Sequence, residues 1–317
     1  MIIKKFLRLL LGIKLFRFFI KKNVFVFVYH DISNENDKKI ADAQNTSIKK
    51  FSNQIKYLKK NFTIISTTDL ENKNINLEDG PYAIITFDDG LESIKNALPI
   101  LEKEQIPCTI FINQQAIEEK FLWNIDFITN LSNYKYLDDF YEKFIESETK
   151  DNFMANPLIS AINHASPIKL LSQKNIEPNQ KYNFLSKEEI IQLIKNPLIF
   201  FGDHSKNHLN LNLSYQQKIP INDYLISKEY IQNILHINSK HFAIPFGKKI
   251  HFNSEILKLL LINGYKYIYT TNPVGCSVKY LIEDNIQYII PRVSLLNNSI
   301  NDINFIINRN ILKKIDL

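Results

Sequence analysis

The chain alternates between short, wholly apolar runs and longer stretches in which apolar residues recur every three or four positions. Val24-Phe-Val-Phe-Val-Tyr29 is an unbroken β-branched and aromatic run, the pattern of a strand buried on both faces. Ile48, Phe51, Ile55 and Leu58 then recur at helical spacing with Lys and Gln between them, and Phe62-Thr-Ile-Ile65 reads as the next strand. The strand pattern returns in Tyr82–Phe87, Pro107–Ile112, Leu198–Phe201, the extended segment from His241, and Tyr288–Ile290. Between these runs, Leu91 to Lys103 reads as helical despite Pro99, and Ser186-Lys-Glu-Glu189 is a capping box that opens a helix. Strands separated by helices predict an α/β fold built on parallel strands. Residues 114–185 break the rhythm and are read as a largely helical insertion at the mouth of such a fold, where substrate choice is commonly built.

Several of the apolar runs end in polar residues with chemical capacity. Tyr82–Phe87 runs into Asp88-Asp89-Gly90, two adjacent carboxylates followed by a residue that lets the backbone turn sharply. Like charges this close need a cation or a hydrogen-bond network to ionise together. A solvated turn is the plainer reading of an isolated Asp-Asp-Gly. Leu198–Phe201 runs into Gly202-Asp-His204-Ser-Lys-Asn-His208, whose two imidazoles can point the same way from one helical turn or a tight loop. With a carboxylate they make up two nitrogens and one oxygen, the ligand set of a catalytic divalent site with a position open for water. Val24–Tyr29 ends in His30, and the segment from His241 ends in Pro245-Phe246-Gly247. In parallel α/β folds and barrels the C-terminal strand ends are where sites assemble.

In these segments the sequence resembles the polysaccharide deacetylase family, also described as NodB-homology or carbohydrate esterase family 4-like proteins. The matching elements are Tyr29-His30, Thr86-Phe-Asp-Asp-Gly90, His204-Ser-x-x-His208, Pro245-Phe-Gly247 and Ile290-Pro-Arg292, in family order over most of the chain. The resemblance implies a distorted, incomplete (β/α) barrel of about seven strands. It implies that Asp89, His204 and His208 bind one divalent metal, with zinc expected and nickel, cobalt or manganese also suited to the ligands. It implies that Asp88 is the general base and that Phe246, beside Pro245, offers its backbone N–H to the oxyanion. Many relatives carry a C-terminal histidine as the acid, but here the last histidine is His251. The sequence resembles instead the branch with an N-terminal Tyr-His motif, which assigns the acid to His30. Many relatives also carry an arginine two residues before the proline, where this chain has Ala243; Arg292 is the substitute expected to orient the base, or else an ordinary surface ion pair. Ser205 orients a ligand or caps a helix. Trp123, the only tryptophan, is a sugar-stacking platform or a half-buried core residue. His164, His236 and His251 have no motif around them and are read as surface or loop residues.

Composition narrows the class. The 317 residues are 45% hydrophobic, enough for one barrel-like domain with insertions. Two cysteines, Cys108 and Cys276, give no disulfide framework, and seven glycines leave no Gly-rich phosphate loop. The net charge of +6 is local: seven of the 39 Lys and Arg residues and none of the 33 acidic residues fall in residues 1–22, which leaves 32 basic against 33 acidic. Those seven are interleaved with thirteen Ile, Leu and Phe residues. Charge confined to an apolar terminal segment disfavours a nucleic-acid partner. The segment is too charged for a comfortable span, and it lacks a secretory h-region and cleavage site. It is expected to lie on an anionic membrane surface, with a helix packed on the barrel as the alternative.

The sequence thus predicts a membrane-associating segment, residues 1–22, before a catalytic domain, residues 23–317. The expected activity is hydrolysis of the acetyl group from an N-acetylated amino sugar of GlcNAc type, in a cell-surface polysaccharide or a lipid-linked glycan precursor. The expected setting is the cytoplasmic face of a bacterial inner membrane. The alternative is a glycan-binding protein that keeps the fold without turnover.

Overall fold

A strand that is apolar on both faces must bury both, and a sheet rolled into a ring with helices outside does so. The computed structural model describes residues 20–34, 45–76, 78–122, 137–172, 183–225, 227–272, 274–283, 286–295 and 298–315. Seven strands form the ring: β1 (Asn23–Tyr29), β2 (Tyr82–Phe87), β3 (Cys108–Ile112), β4 (Ile199–Asp203), β5 (His241–Ala243), β6 (Tyr267–Thr270) and β7 (Tyr288–Ser294). Each pairs in parallel with the next in chain order, and β1 pairs with both β2 and β7, which closes the ladder. The expected α/β barrel is present, with seven strands where a complete (β/α) barrel has eight. Its weakest seam lies between β4 and β5, which share a single registered pair, Asp203 with Phe242. Thr63–Ile64 adds a short parallel edge to β2, and Cys276–Ser277 an antiparallel one to β1.

The alternation along β1 sorts its side chains between two cores. Phe25, Phe27 and Tyr29 face outward and share a cluster with Phe51, Ile55 and Leu58 of the helix Ile48–Asn61. That helix is capped by Ser47, whose side chain accepts from the Lys50 N–H, and the Tyr29 and Phe51 rings meet edge to face at 5.0 Å. Val24 and Val26 face inward, with Ile84, Phe111, Ala243, Tyr267, Tyr269, Tyr288 and Ile290 filling the lumen. The barrel is therefore a packed core, and function is left to its rim.

The stretch Leu91–Lys103 divides into a 3₁₀ turn, Glu92–Asn96, and a helix, Leu98–Glu104. Pro99 lies in the first turn of the second, where its missing N–H has no helical acceptor to lose, so it starts a helix and interrupts none. The Ser186 capping box is formed, with Ser186 and Glu189 exchanging side-chain-to-backbone hydrogen bonds at the head of Lys187–Leu193. Within 114–185 the described parts are largely helical, with Leu137–Phe144, Lys150–Ala155, Pro157–His164 and Pro167–Leu171 among the helices. Phe140, Phe144 and Phe153 pack in one cluster with Leu209, Leu211 and Tyr224, which fastens the insertion to the segment after His208. Cys108 and Cys276 are buried and free. Among the described residues no helix is long and apolar enough to cross a membrane.

Gly202 occupies a position in β4 that no side chain fits. A Cβ there would sit 2.4 Å from Cε1 of Phe111 and 3.2 Å from the His241 carbonyl oxygen. Gly202→Ala is expected to lower unfolding free energy by about 1–3 kcal/mol, the usual cost of overpacking; a urea midpoint equal to that of the wild type would contradict the account.

Candidate active site

β2 delivers both aspartates to the rim. The Asp88 N–H continues the ladder by donating to the Tyr29 carbonyl at 3.0 Å, and Asp89 and Gly90 then turn with φ of 70° and 64°. A left-handed residue directly after an extended one sends consecutive side chains to separate partners. Both carboxylates are buried, at 2% and 1% exposure, so each needs compensation.

For Asp88 it comes from Arg292 on β7. Nη1 and Nη2 donate to Oδ1 and Oδ2 at 2.6 and 2.7 Å, a two-pronged, charge-assisted pair. The guanidinium is 1% exposed and lies over the Phe111 ring at 5.4 Å, so it is a buried pair and not a surface one. Burial alone would raise the Asp88 pKa, but the charges of Arg292 and His204 outweigh it and hold this carboxyl well below the usual range. Ala243 lines the lumen on β5, and its carbonyl accepts from His204 Nδ1 at 2.8 Å.

Asp89 has no arginine of its own. Its Oδ1 is buried without a hydrogen-bond partner among the described residues, 3.5 Å from His204 Nε2 and 3.4 Å from His208 Nε2. One ligand atom from each of Asp89, His204 and His208 lies within 4.8 Å of the others, and all three residues are buried. Atoms about 2.0–2.2 Å from one tetrahedral ion stand roughly 3.5 Å apart, so the cluster fits one divalent metal. Burial, and then the charge of Asp88, raises the Asp89 pKa well above the usual carboxylate value, a conflict that a bound cation would reverse. Burial lowers the pKa of both histidines, joined at His208 by the charge of His204, and so favours the neutral imidazoles that bind metal. The hydrogen bond from His204 Nδ1–H to Ala243 fixes the tautomer that leaves Nε2 facing Asp89.

The His204–His208 segment is a tight loop and not a helix, with positive φ at Ser205 (70°) and His208 (54°). Ser205 caps no helix: its Oγ accepts from the His208 N–H at 3.1 Å and holds closed the loop that carries this histidine. The His208 ring meets Phe246 edge to face at 4.7 Å. Phe246 itself is left-handed, with φ of 60°, and its N–H makes no hydrogen bond within the described structure. His30 reaches the same rim, its Nε2 being 3.9 Å from Asp88 Oδ2. Its Nδ1 is buried with no hydrogen-bond partner among the described residues, and burial, only partly offset by Asp88, lowers its pKa to about 4. Trp123 lies outside the described residues.

Other residues complete the site without a readable signal in the sequence. Asp203 is buried; its Oδ1 accepts from the Ser205 N–H at 2.8 Å and from Ser227 Oγ at 2.7 Å, and its Oδ2 from the Tyr265 hydroxyl. Asn113 donates to the carbonyls of His204 and Ser205. Thr271 Oγ1 donates to the Phe246 carbonyl at 2.7 Å, and the Thr271 N–H to that of Gly247 at 2.9 Å. His251 departs from the surface reading. It is 1% exposed, its Nδ1 accepts from the Lys248 N–H, its Nε2 donates to Asn163 Oδ1, and its ring meets Phe246 at 5.3 Å. Of the other two histidines, His236 is exposed and His164 is partly buried, with its ring beside Ser147.

Solved structures with the same fold agree with this arrangement of elements. Streptococcus pyogenes deacetylase PplD in complex with acetate superposes with a TM-score of 0.55 at 17% identity, covering 92% of this chain and 97% of that one. IcaB from Ammonifex degensii gives 0.54 at 14% identity over 92% and 97% of the two chains. The de-N-acetylase from Aggregatibacter actinomycetemcomitans gives 0.56 at 14% over 90% and 100%. At these identities the likeness shows the fold. No curated protein sequence matches the chain. The model of the family described as polysaccharide deacetylase matches residues 77–268, a range that holds the two aspartates, the paired histidines and Phe246 but neither His30 nor Arg292. That match spans more than half of the chain, and the protein belongs to the polysaccharide deacetylase family.

Proposed function

We propose that the protein is a metal-dependent N-deacetylase acting on an N-acetylated amino sugar of GlcNAc type, carried in a cell-surface polysaccharide or a glycan precursor. The single observation that carries the reading is the division of labour between adjacent buried carboxylates. Asp88 is bound by Arg292 and kept ionised, while Asp89 faces two neutral imidazoles. Family membership and the activities of two structural neighbours, a deacetylase and a de-N-acetylase, support the reaction class.

A divalent ion held by Asp89, His204 and His208 would supply Lewis acidity there. Asp88, ionised and beside that cluster, is the residue that would accept a proton from the attacking water. Arg292 occupies one direction of each carboxylate oxygen and holds the group in place, so the base does not have to be reoriented during attack. The Phe246 N–H, presented by its left-handed backbone, donates to the oxygen on which negative charge develops. His30 hands a proton to the departing amine nitrogen. A depressed pKa makes His30 a poor reservoir of protons but a strong donor once charged, and Asp88, 3.9 Å away, is the neighbour from which the proton of the attacking water can reach it. The buried Arg292–Asp88 pair favours turnover over the binding-only alternative, because a binding protein has no use for an oriented base.

Acetate release from N-acetylglucosamine oligomers, and from lipid-linked and nucleotide-linked N-acetyl sugars, tests the reading. Metal-stripped protein should be silent and reloaded protein active; a chain that holds one metal and frees acetate from none of these substrates would sink it. Asp88→Asn should lose about a hundredfold or more in kcat while keeping one metal per chain by elemental analysis. His208→Ala should lose the metal itself, so that reloading restores nothing. Arg292→Lys keeps the charge but not the fork and should lower kcat about tenfold more than it changes KM. Arg292→Met strands a buried carboxylate and should cost about 3–5 kcal/mol in denaturant unfolding.

A further inference from the structure

We propose that a cleft beside the metal loop binds a primary ammonium group, and that it holds a glucosamine unit already freed of its acetyl while a neighbouring unit of the same glycan is at the metal. The cleft has a volume of about 710 Å³, within the ~300–1,000 Å³ range of small-molecule sites. Three segments form most of it. Gln115, Glu118 and Glu119 lie on the helix Gln114–Glu119, which follows β3; Lys206 and Asn207 lie between His204 and His208, beyond β4; Asp223 lies on the short helix Ile221–Tyr224. Hydrogen bonds stitch these segments together. The Gln115 N–H donates to the Lys206 carbonyl at 2.9 Å, the Lys206 N–H to the Tyr224 carbonyl at 3.2 Å, and the Asn207 side-chain amide to the Asp223 carbonyl at 2.8 Å. Cleft and metal ligands therefore share one loop.

What the cleft offers is acceptors. Glu118, Glu119 and Asp223 are exposed carboxylates along it. Gln115 and Asn207 are 8% and 4% exposed, and the side-chain oxygen of each has no hydrogen-bond partner among the described residues. Neither amide can be turned round to remove the deficit. The Gln115 NH₂ donates to Glu119 at 2.8 Å and the Asn207 NH₂ to the Asp223 carbonyl, so in both it is the oxygen that is left over. A buried acceptor without a donor is costly, and an occupant that brings N–H groups relieves it. Lys206 is the one cation among the described lining residues, and its Nζ donates to the Asn222 carbonyl at 3.0 Å.

An ammonium group meets these demands better than the alternatives. It brings positive charge and three donors, whereas an acetamido group brings one N–H and a carbonyl oxygen that would face carboxylates. A divalent ion needs several ligand atoms around one point, and among the described residues the only His, Cys, Asp and Glu cluster so arranged is that of Asp89, His204 and His208. Leu171, the one apolar side chain among the described lining residues, gives the carbon face of a sugar ring a surface to lie on. Hydrolysis of an acetamide leaves an amine that is protonated at neutral pH, so the reaction makes the group this cleft selects. Residues 1–19, with their basic side chains, lie outside the described residues, and the negative charge here belongs to the barrel mouth. That the occupant is an amino sugar rests on the deacetylase reading; selection for an ammonium does not.

Glucosamine tetramer carries no acetyl group, so the metal-loaded full chain can be titrated with it calorimetrically without turnover, beside N-acetylglucosamine tetramer. Combining Glu118→Gln with Asp223→Asn should weaken glucosamine tetramer binding about tenfold and leave binding of the acetylated tetramer unchanged. The wild-type preference for the free amine should also shrink as salt is raised. Glucosamine held at the metal by its own amine would survive the double substitution, so equal binding by variant and wild type overturns the proposal, as does no binding at all. Calcium bound at one ion per chain by the wild type and not by the variant would make the cleft a divalent-cation site and overturn it too. In turnover, tetramers with one free amine are compared across its possible positions. For at least one position KM should lie about tenfold below that of the fully acetylated tetramer, an advantage absent from the double variant, with kcat unchanged. Equal KM for all of them overturns the subsite. Failure of every oligomer to yield acetate would count against the activity and leave the binding result standing.

Discussion

Two carboxylates on consecutive residues, both withdrawn from water, constrain everything at the barrel mouth. Burying one unpaired charge costs several kcal/mol, and burying two side by side adds their repulsion. The fold meets this by making the pair unequal. Asp88 stays in the extended ladder and receives a guanidinium; Asp89 leaves it through a left-handed turn and meets two imidazoles and no arginine. The electrostatic result is a group ionised at rest beside a group that needs a cation. Base and ligand roles therefore follow from partners, since the two residues are chemically the same.

Placing those partners strains the backbone at the site. Asp89, Ser205, His208 and Phe246 all have positive φ, a conformation that is uncommon in residues other than glycine. Each lies where a strand end must turn at once toward the centre, and the strain is held by specific hydrogen bonds. Asp203 and Asn113 grip the Ser205 backbone, Ser205 closes on His208, and Thr271 binds the carbonyls of Phe246 and Gly247. The ligand loop is thus backed by a buried carboxylate, Asp203, that never faces the ligand atoms. Its own burial is offset by Ser227, Tyr265 and the Ser205 amide.

Features with local causes were legible in the sequence. The strand runs, the helix at 48–61, the Ser186 capping box and the polar residues at strand ends depend on periodicity and on neighbours within a few positions. What was not legible depends on closure of the ring. Nothing near His251 in the sequence signals that Asn163 and Phe246 bury it, and nothing near Asp203 signals Tyr265 or Ser227. The run at 62–65 forms an edge on β2 and no part of the ring, through the Thr63 and Ile64 pairs and the Ile65 N–H, which donates to the Ala83 carbonyl at 3.0 Å. Pro99 looked like an interruption because its position within a helix depends on where the helix starts, and here a 3₁₀ turn sets the start.

Arg292 belongs to both groups, since its motif was readable and its geometry was not. It reaches Asp88 across 204 positions of sequence only because β7 closes on β1, next to β2. The same closure accounts for Ala243. One buried carboxylate can compensate one guanidinium. An arginine on β5 aimed at Asp88 would compete with Arg292 for the same two oxygens and leave one cation buried without an anion, a worse state than either arrangement alone. A small apolar residue at 243 and a buried arginine at 292 are therefore two halves of one solution. In this chain the guanidinium that serves Asp88 comes from β7, and β5 contributes the Ala243 carbonyl to His204 instead.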